Sequence, residues 1–157
     1  MIIDAKMNFT GLTNGVPTAQ ALPTGTTTSY STDVIDLGPN AQAGGVRRMG
    51  SGTELYLVLL FQPGSGVLAG GPMTITLQTD SVVGFGSVVD TTMTTGAKTA
   101  LNAGNTGDVI ILPADNSQLK EFLRLKFVAG ATVTTAPTVK AFFTDSPTDW
   151  YAYADAI

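Results

Sequence analysis

The side chains that carry most protein chemistry are missing from this chain of 157 residues, which has no histidine and no cysteine. Without histidine there is no Ser-His-Asp triad, no imidazole base and no histidine-containing metal site. Without cysteine there is no thiol nucleophile and no cysteine-ligated zinc. Carboxylate chemistry, a Ser/Lys pair or carbonyl-rich calcium binding remains. Asp33 and Asp36 lie three apart on an expected strand, so their side chains point to opposite faces and cannot share a proton. Val88-Val89-Asp90-Thr91-Thr92 starts like an aspartic-protease loop, yet Thr92 stands where glycine is needed and there is no second copy. It reads as a plain strand end. Spaced Asp-x-Asp-x-Asp calcium loops are absent, and Asp108, Asp115 and Asp145 fall near expected strand ends, where acids satisfy turn backbones.

Gly64, Gly66 and Ala69 match the dinucleotide fingerprint G-x-G-x-x-G/A, and an expected strand precedes them. That mechanism needs a helix whose N-terminus meets the pyrophosphate. Here Gly70-Gly71-Pro72 follows, then the strand-like Thr74-Ile75-Thr76, so the segment reads as a strand-to-strand loop. Asn8-Phe9-Thr10 matches a glycosylation acceptor, a pattern that chance often produces. The residues point to no enzyme, no cofactor and no metal, and so to a structural or binding protein.

Charge narrows the partners. The net charge is −4, and the eight basic residues are scattered except for the pair Arg47-Arg48. Nucleic-acid binding needs a basic stripe, so no nucleic-acid partner is expected. Arg47 and Arg48, in a Gly-rich loop, are either solvated or aimed at an acidic partner. The longest apolar run, Leu55 to Phe61, is far short of the roughly 20 residues that span a bilayer. Asp4 interrupts the start of what would be a signal peptide, so neither a membrane nor a cleaved signal is expected.

These residues must be positioned by strands. Strand-like blocks recur at about 30–37, 53–61, 73–80, 85–92, 97–101, 107–112, 121–129 and 138–144, with Gly, Pro, Asn or Asp in most gaps. A possible short strand, Ile2 to Phe9, opens an N-terminal arm that continues as a Thr/Gly/Pro-rich loop through Thr28. Residues 116–127 admit a helical stripe, but Leu123, Leu125 and Phe127 alternate with Arg124 and Lys126, the period of a half-buried strand. The expected fold is all-β, an antiparallel jelly-roll or Greek-key sandwich of about eight strands with N- and C-terminal arms. The sandwich would cover residues 1–145 and an aromatic tail residues 146–157.

Two strands differ in their faces. Met73, Ile75, Leu77 and Thr79 alternate with Thr74, Thr76, Gln78 and Asp80, which places one face in the core and the other in water. Glu54 to Phe61 does not alternate: with Leu55, Leu57, Leu59 and Phe61 inward, Tyr56, Val58 and Leu60 form an apolar outer row. Such a row needs a cover, from the chain's own arm or from a partner. Phe142 poses the same question on the last strand. Trp150, Tyr151 and Tyr153, in the tail, would either fold back or dock on a neighbouring subunit. These nine residues (Arg47, Arg48, Tyr56, Val58, Leu60, Phe142, Trp150, Tyr151 and Tyr153) are the candidate contact set.

The blocks Met1-Ile2-Ile3-Asp4-Ala5, Ser31-Thr32-Asp33-Val34-Ile35-Asp36-Leu37-Gly38 and Gly52-Thr53-Glu54-Leu55-Tyr56-Leu57-Val58 occur in order. They are followed by Thr74-Ile75-Thr76-Leu77-Gln78-Thr79-Asp80, Phe122-Leu123-Arg124-Leu125-Lys126-Phe127 and Val139-Lys140-Ala141-Phe142-Phe143. The ordered set, covering residues 1 to about 145, resembles the small capsid cement (decoration) proteins of short-tailed bacteriophages. The resemblance implies a jelly-roll sandwich, a homo-oligomer (dimer or trimer) on the outside of the virion capsid, assembled in the host cytoplasm. It implies the major capsid protein as partner and no catalytic residues. The competing expectation is a carbohydrate-binding sandwich or tail-fibre module that sets Trp150 and Tyr151 against a sugar.

Overall fold

The computed structural model describes residues 7–14, 16–38, 55–115 and 119–145. Apolar residues at every second position give each long strand one side to bury, and two antiparallel sheets meet on those sides. The short strands come first: β1 (Leu12–Thr13), β2 (Val16–Pro17), β3 (Gln20–Ala21), β4 (Thr28–Tyr30) and β5 (Ile35–Asp36). Then follow β6 (Tyr56–Phe61), β7 (Met73–Asp80), β8 (Val89–Thr94), β9 (Val109–Pro113), β10 (Phe122–Ala129) and β11 (Thr138–Thr144). One sheet has the order β3-β11-β6-β9; the other runs β4-β10-β7-β8, with β5 also paired to β10 beyond the end of β4. β1 and β2 form a separate small hairpin.

The core lies between the sheets. Leu57, Leu59 and Phe61 of β6 and Val139, Ala141 and Phe143 of β11 come from one side. Met73, Ile75 and Leu77 of β7, with Leu123, Leu125 and Phe127 of β10, come from the other. Phe9, ahead of β1, is wholly buried and tilts its ring against Phe143 at 5.4 Å between centroids. Its N–H donates to Ala141 O, so the first described segment is tied to β11.

The all-β sandwich is as the sequence predicts, and from Phe122 the strand period wins: β10 alternates half-buried and buried residues along its whole length. Four boundaries differ. The block at 30–37 is two short pieces, because residues 31–34 leave the sheet: the Ser31 hydroxyl donates to Asp33 O, and the Thr32 N–H donates to Gln20 Oε1. The block at 85–92 begins only at Val89 and runs on to Thr94. At 97–101 there is no strand; Lys98 alone bridges Met73, after Gly96 turns the chain at φ +65°. The stretch through Thr28 is not bare loop, since β1 to β3 lie within it and β4 begins at its last residue.

The loops are held by side-chain amides and hydroxyls, as a Thr- and Asn-bearing chain of low charge allows. Asn102 is fully buried, in the left-handed region at φ +56°. Its Nδ2 donates to Gln62 O at 3.0 Å, Gly66 O at 2.7 Å and Asn105 Oδ1 at 3.2 Å. Its Oδ1 accepts from the Gly107 N–H at 2.8 Å. One amide thereby ties the β6–β7 loop to the loop before β9. Asn102→Ala strands several buried partners and places a Cβ residue less tolerant of that backbone. It is expected to lower stability by about 3 kcal/mol, read as a shift of the urea midpoint with an unchanged slope.

Candidate interaction surface

Each sheet has an outer face, and the two are built differently. On the outside of the β3-β11-β6-β9 sheet, β6 presents Tyr56, Val58 and Leu60. Register places Val58 opposite Phe142 of β11 and Ile111 of β9, and Leu60 opposite Lys140 and Val109. Val58 and Phe142 are buried to 0 % and 1 % exposure, with Leu60, Val109 and Ile111 half-buried around them. The outer row is therefore a small second core, and its centre is already dry in the single chain. Tyr56 and Leu60 are half-buried. Asn8, in the segment before β1, bridges Phe142 and so runs along this edge. Arg47, Arg48, Trp150, Tyr151 and Tyr153 lie outside the described residues.

The outer face of the other sheet was expected to meet water, and it does not: Thr76, Gln78 and Asp80 are buried at 9 %, 3 % and 0 % exposure. The cause is a cross-strand row that the register assembles, Arg124 opposite Gln78 opposite Asp90. Asp90 reaches this row through an irregularity in β8, where the step from Thr94 to Asp90 faces the shorter step from Thr76 to Gln78. The Thr91 hydroxyl donates to Leu77 O at 2.8 Å and supports that bulge. Arg124 Nε donates to Gln78 Oε1 at 2.9 Å, and Gln78 Nε2 donates to Asp90 Oδ1 at 2.6 Å. Lys126 Nζ closes the chain on Asp90 Oδ2 at 3.0 Å.

Two rings flank the guanidinium. Tyr30 of β4 lies 3.8 Å from Arg124 Cζ and Phe85 of the β7–β8 loop 4.1 Å from it. Phe85 takes φ +51°, a region that a bulky side chain adopts only when its surroundings hold it there. Asp80 does the holding. Its Oδ1 accepts from the Val82 N–H at 3.2 Å and its Oδ2 from the Ser87 N–H at 2.8 Å, so both ends of the loop close on one carboxylate. The loop then tucks Phe85 inward and leaves Val82 and Val83 outward, 57 % and 61 % exposed.

The acids on this face are tuned by these contacts. Burial pushes the Asp80 carboxyl up, but the Ser87, Val82 and Ser81 N–H groups and the Lys120 charge outweigh it and hold it below the ordinary value. The Gln78 hydrogen bond, with Lys126 and the Arg124 charge, likewise lowers Asp90 against the opposing effect of burial. Half of the Asp90 side chain is exposed, so its ion pair with Lys126 contributes at most about 1 kcal/mol.

Other sequence candidates are structural. Asp90 belongs to this row, Asp108 accepts the Ala103 N–H in a turn, and Asp36 accepts the Gly38 N–H. Residues 62–72 do connect strand to strand, with Ala69 bridging Thr135 and no helix between β6 and β7. The Arg124 row was not foreseen. Its signal in the sequence was the pair of opposed polar alternations, Arg124/Lys126 and Gln78/Asp80, which converge only once β7 and β10 are known to be neighbours.

A protein-family model described as Bbp16 matches residues 16–143, most of the chain, and the chain belongs to that family. No curated protein matches it.

The two faces generate separate tests. Val58→Ala removes apolar volume from a site that is dry without any partner. It is expected to cost the isolated protein about 2 kcal/mol; an unchanged denaturation midpoint would show that the row is closed only by a partner. Asp80 has a depressed carboxyl, so its contribution to stability is present above the unfolded-state value of about 3.9 and is lost as pH falls through the lower folded value. Asp80→Asn turns an acceptor facing the Ser87 N–H into an amide that can donate. The variant is expected to melt lower than wild type at neutral pH, with the two melting temperatures converging in strong acid.

Proposed function

We propose that this member of the Bbp16 family is a capsid cement protein, a homo-oligomer on the outside of an assembled phage head that stabilises contacts between coat subunits. The observation that carries the reading is the strand order. Counting β4 and β5 as one interrupted strand, the eight positions from β3 to β11 run 1-8-3-6 in one sheet and 2-7-4-5 in the other. That is the order of two nested Greek keys, which supports reading the sandwich as a jelly roll, a fold frequent in viral capsids and lectins.

Fold alone does not separate those two uses; the surface does better. Seven of the eight exposed large apolar side chains among the described residues are valines, and the eighth, Tyr30, carries the Arg124 guanidinium on its ring. Exposed aliphatic side chains suit a protein partner; Trp150 and Tyr151, on which the sugar reading rests, lie outside the described residues. A shell then gains by mass action. A protein that binds the expanded lattice but not its separated subunits adds RT ln(1 + [L]/Kd) per site, about 2.7 kcal/mol at a free concentration of 100 times Kd.

Purified protein is expected to co-sediment with expanded heads of the phage that encodes it and to raise their disruption temperature. It is expected to leave unassembled coat protein unbound. Heads that neither retain the protein nor gain stability would overturn the proposal, and saturable binding to a glycan array would favour the lectin reading instead.

A further inference from the structure

We infer that Arg124 is a receptor for a carboxylate, and that the acid it receives belongs to a side chain of a protein partner set among apolar neighbours. A guanidinium has five N–H donors. The Nε–H is spent on Gln78 Oε1, while the four on the terminal nitrogens donate to no described residue. The carboxylates of this face place their oxygens on other partners. Asp90 gives one oxygen to Gln78 and the other to Lys126. Asp80 gives both of its oxygens to the loop backbone. Neither acid caps the guanidinium itself, so its terminal donors stay open at a half-buried position, within the field of the Asp90 charge.

The stack makes that cation a receptor. Tyr30 and Phe85 both pack a ring against the guanidinium and Gln78 holds its Nε–H, so its position is set before binding while the terminal nitrogens keep their donors for a ligand. Two parallel N–H groups in a fixed plane match the two oxygens of a carboxylate, and the ordering cost is met during folding. Asp90, bonded to the same Gln78, keeps a negative charge near the fork, which disfavours a phosphate dianion more than a monoanion. The loop that supplies Phe85 also exposes Val82 and Val83, which gives the partner apolar surface to bury beside the acid. Strain at Phe85 is consistent with a position held for use.

This inference rests on the proposed function for the identity of the partner but not for the carboxylate chemistry, so the test has two arms. In the first, the 15N-labelled chain is titrated with the 1-amide of N-acetylglutamate, with the neutral glutamine analogue and with inorganic phosphate. The glutamate compound is expected to shift the Arg124 Nε–H and the Phe85 amide saturably, and the glutamine analogue to leave them unmoved. Arg124→Lys, which keeps the charge and loses the fork, is expected to weaken the response about tenfold; Arg124→Gln is expected to abolish it. No saturable shift, an equal response in a folded Arg124→Gln, or tighter binding of phosphate overturns the inference. Should Arg124→Gln not fold, Arg124→Lys decides.

The second arm uses expanded heads. Arg124→Lys and Arg124→Gln are expected to bind them at least about tenfold more weakly than wild type. Equal binding by wild type and variants overturns the partner assignment at Arg124 and leaves the cement reading standing. Wild type that binds the glutamate compound but no heads removes the cement reading and keeps the carboxylate site.

Discussion

The eight-residue antiparallel ladder between β7 and β10 sets both the interior and the exterior of one sheet. Its register puts Leu77 beside Leu125 and Ile75 beside Phe127 on the inner face. The same register puts Gln78 beside Arg124 and Asp80 beside Phe122 on the outer face. A slip of one residue would turn every apolar side chain outward and every polar one into the core. The core therefore enforces the alignment on which the polar row depends. The β7–β8 loop follows directly, because Asp80 closes it from the last position of β7.

Much of this was legible in the residues. Leu123, Leu125 and Phe127 alternate with charged neighbours, and that pattern alone selects a strand over a helix. The two-sided apolar character of β6 was visible too, along with the need for a cover over Val58 and Phe142. What could not be read is what depends on distant chain segments. Gln78 and Asp80 look solvated in sequence because nothing nearby covers them; the cover comes from Arg124, far along the chain, and from a loop folded by the Asp80 carboxylate itself. Asp90 looked like a strand end because the bulge in β8 is a response to pairing, which periodicity does not encode. At 97–101 the residues look strand-like, but only Lys98, paired with Met73, and the Leu101 carbonyl, which accepts the Leu68 N–H, find backbone partners there, too few for a ladder.

A low share of charge leaves several loops to neutral hydrogen bonds. Asn102 ties two loops together, the Thr10 hydroxyl accepts the Ala141 N–H, and the Ser65 hydroxyl accepts the Thr138 N–H. Bonds of this kind titrate little and are weakly screened by salt, unlike ion pairs. Three charged side chains are instead joined directionally in the Arg124–Gln78–Asp90–Lys126 row. The sandwich thus keeps its general cohesion and its charged face on separate chemistries, so a change at one need not unsettle the other.

The strands at the four borders of the sheets share a further property. β3 has two residues, β4 and β5 are separated by a detour at 31–34, β8 carries a bulge and β9 ends on Pro113. An uninterrupted border strand invites another chain to add itself by backbone pairing, the first step of fibre growth. Here each border is too short, too bent or lacks a donor at its end. Among the described residues, then, the sandwich offers a second copy no long straight border to zip onto, and any contact it makes would be left to side chains, whose geometry can be selective.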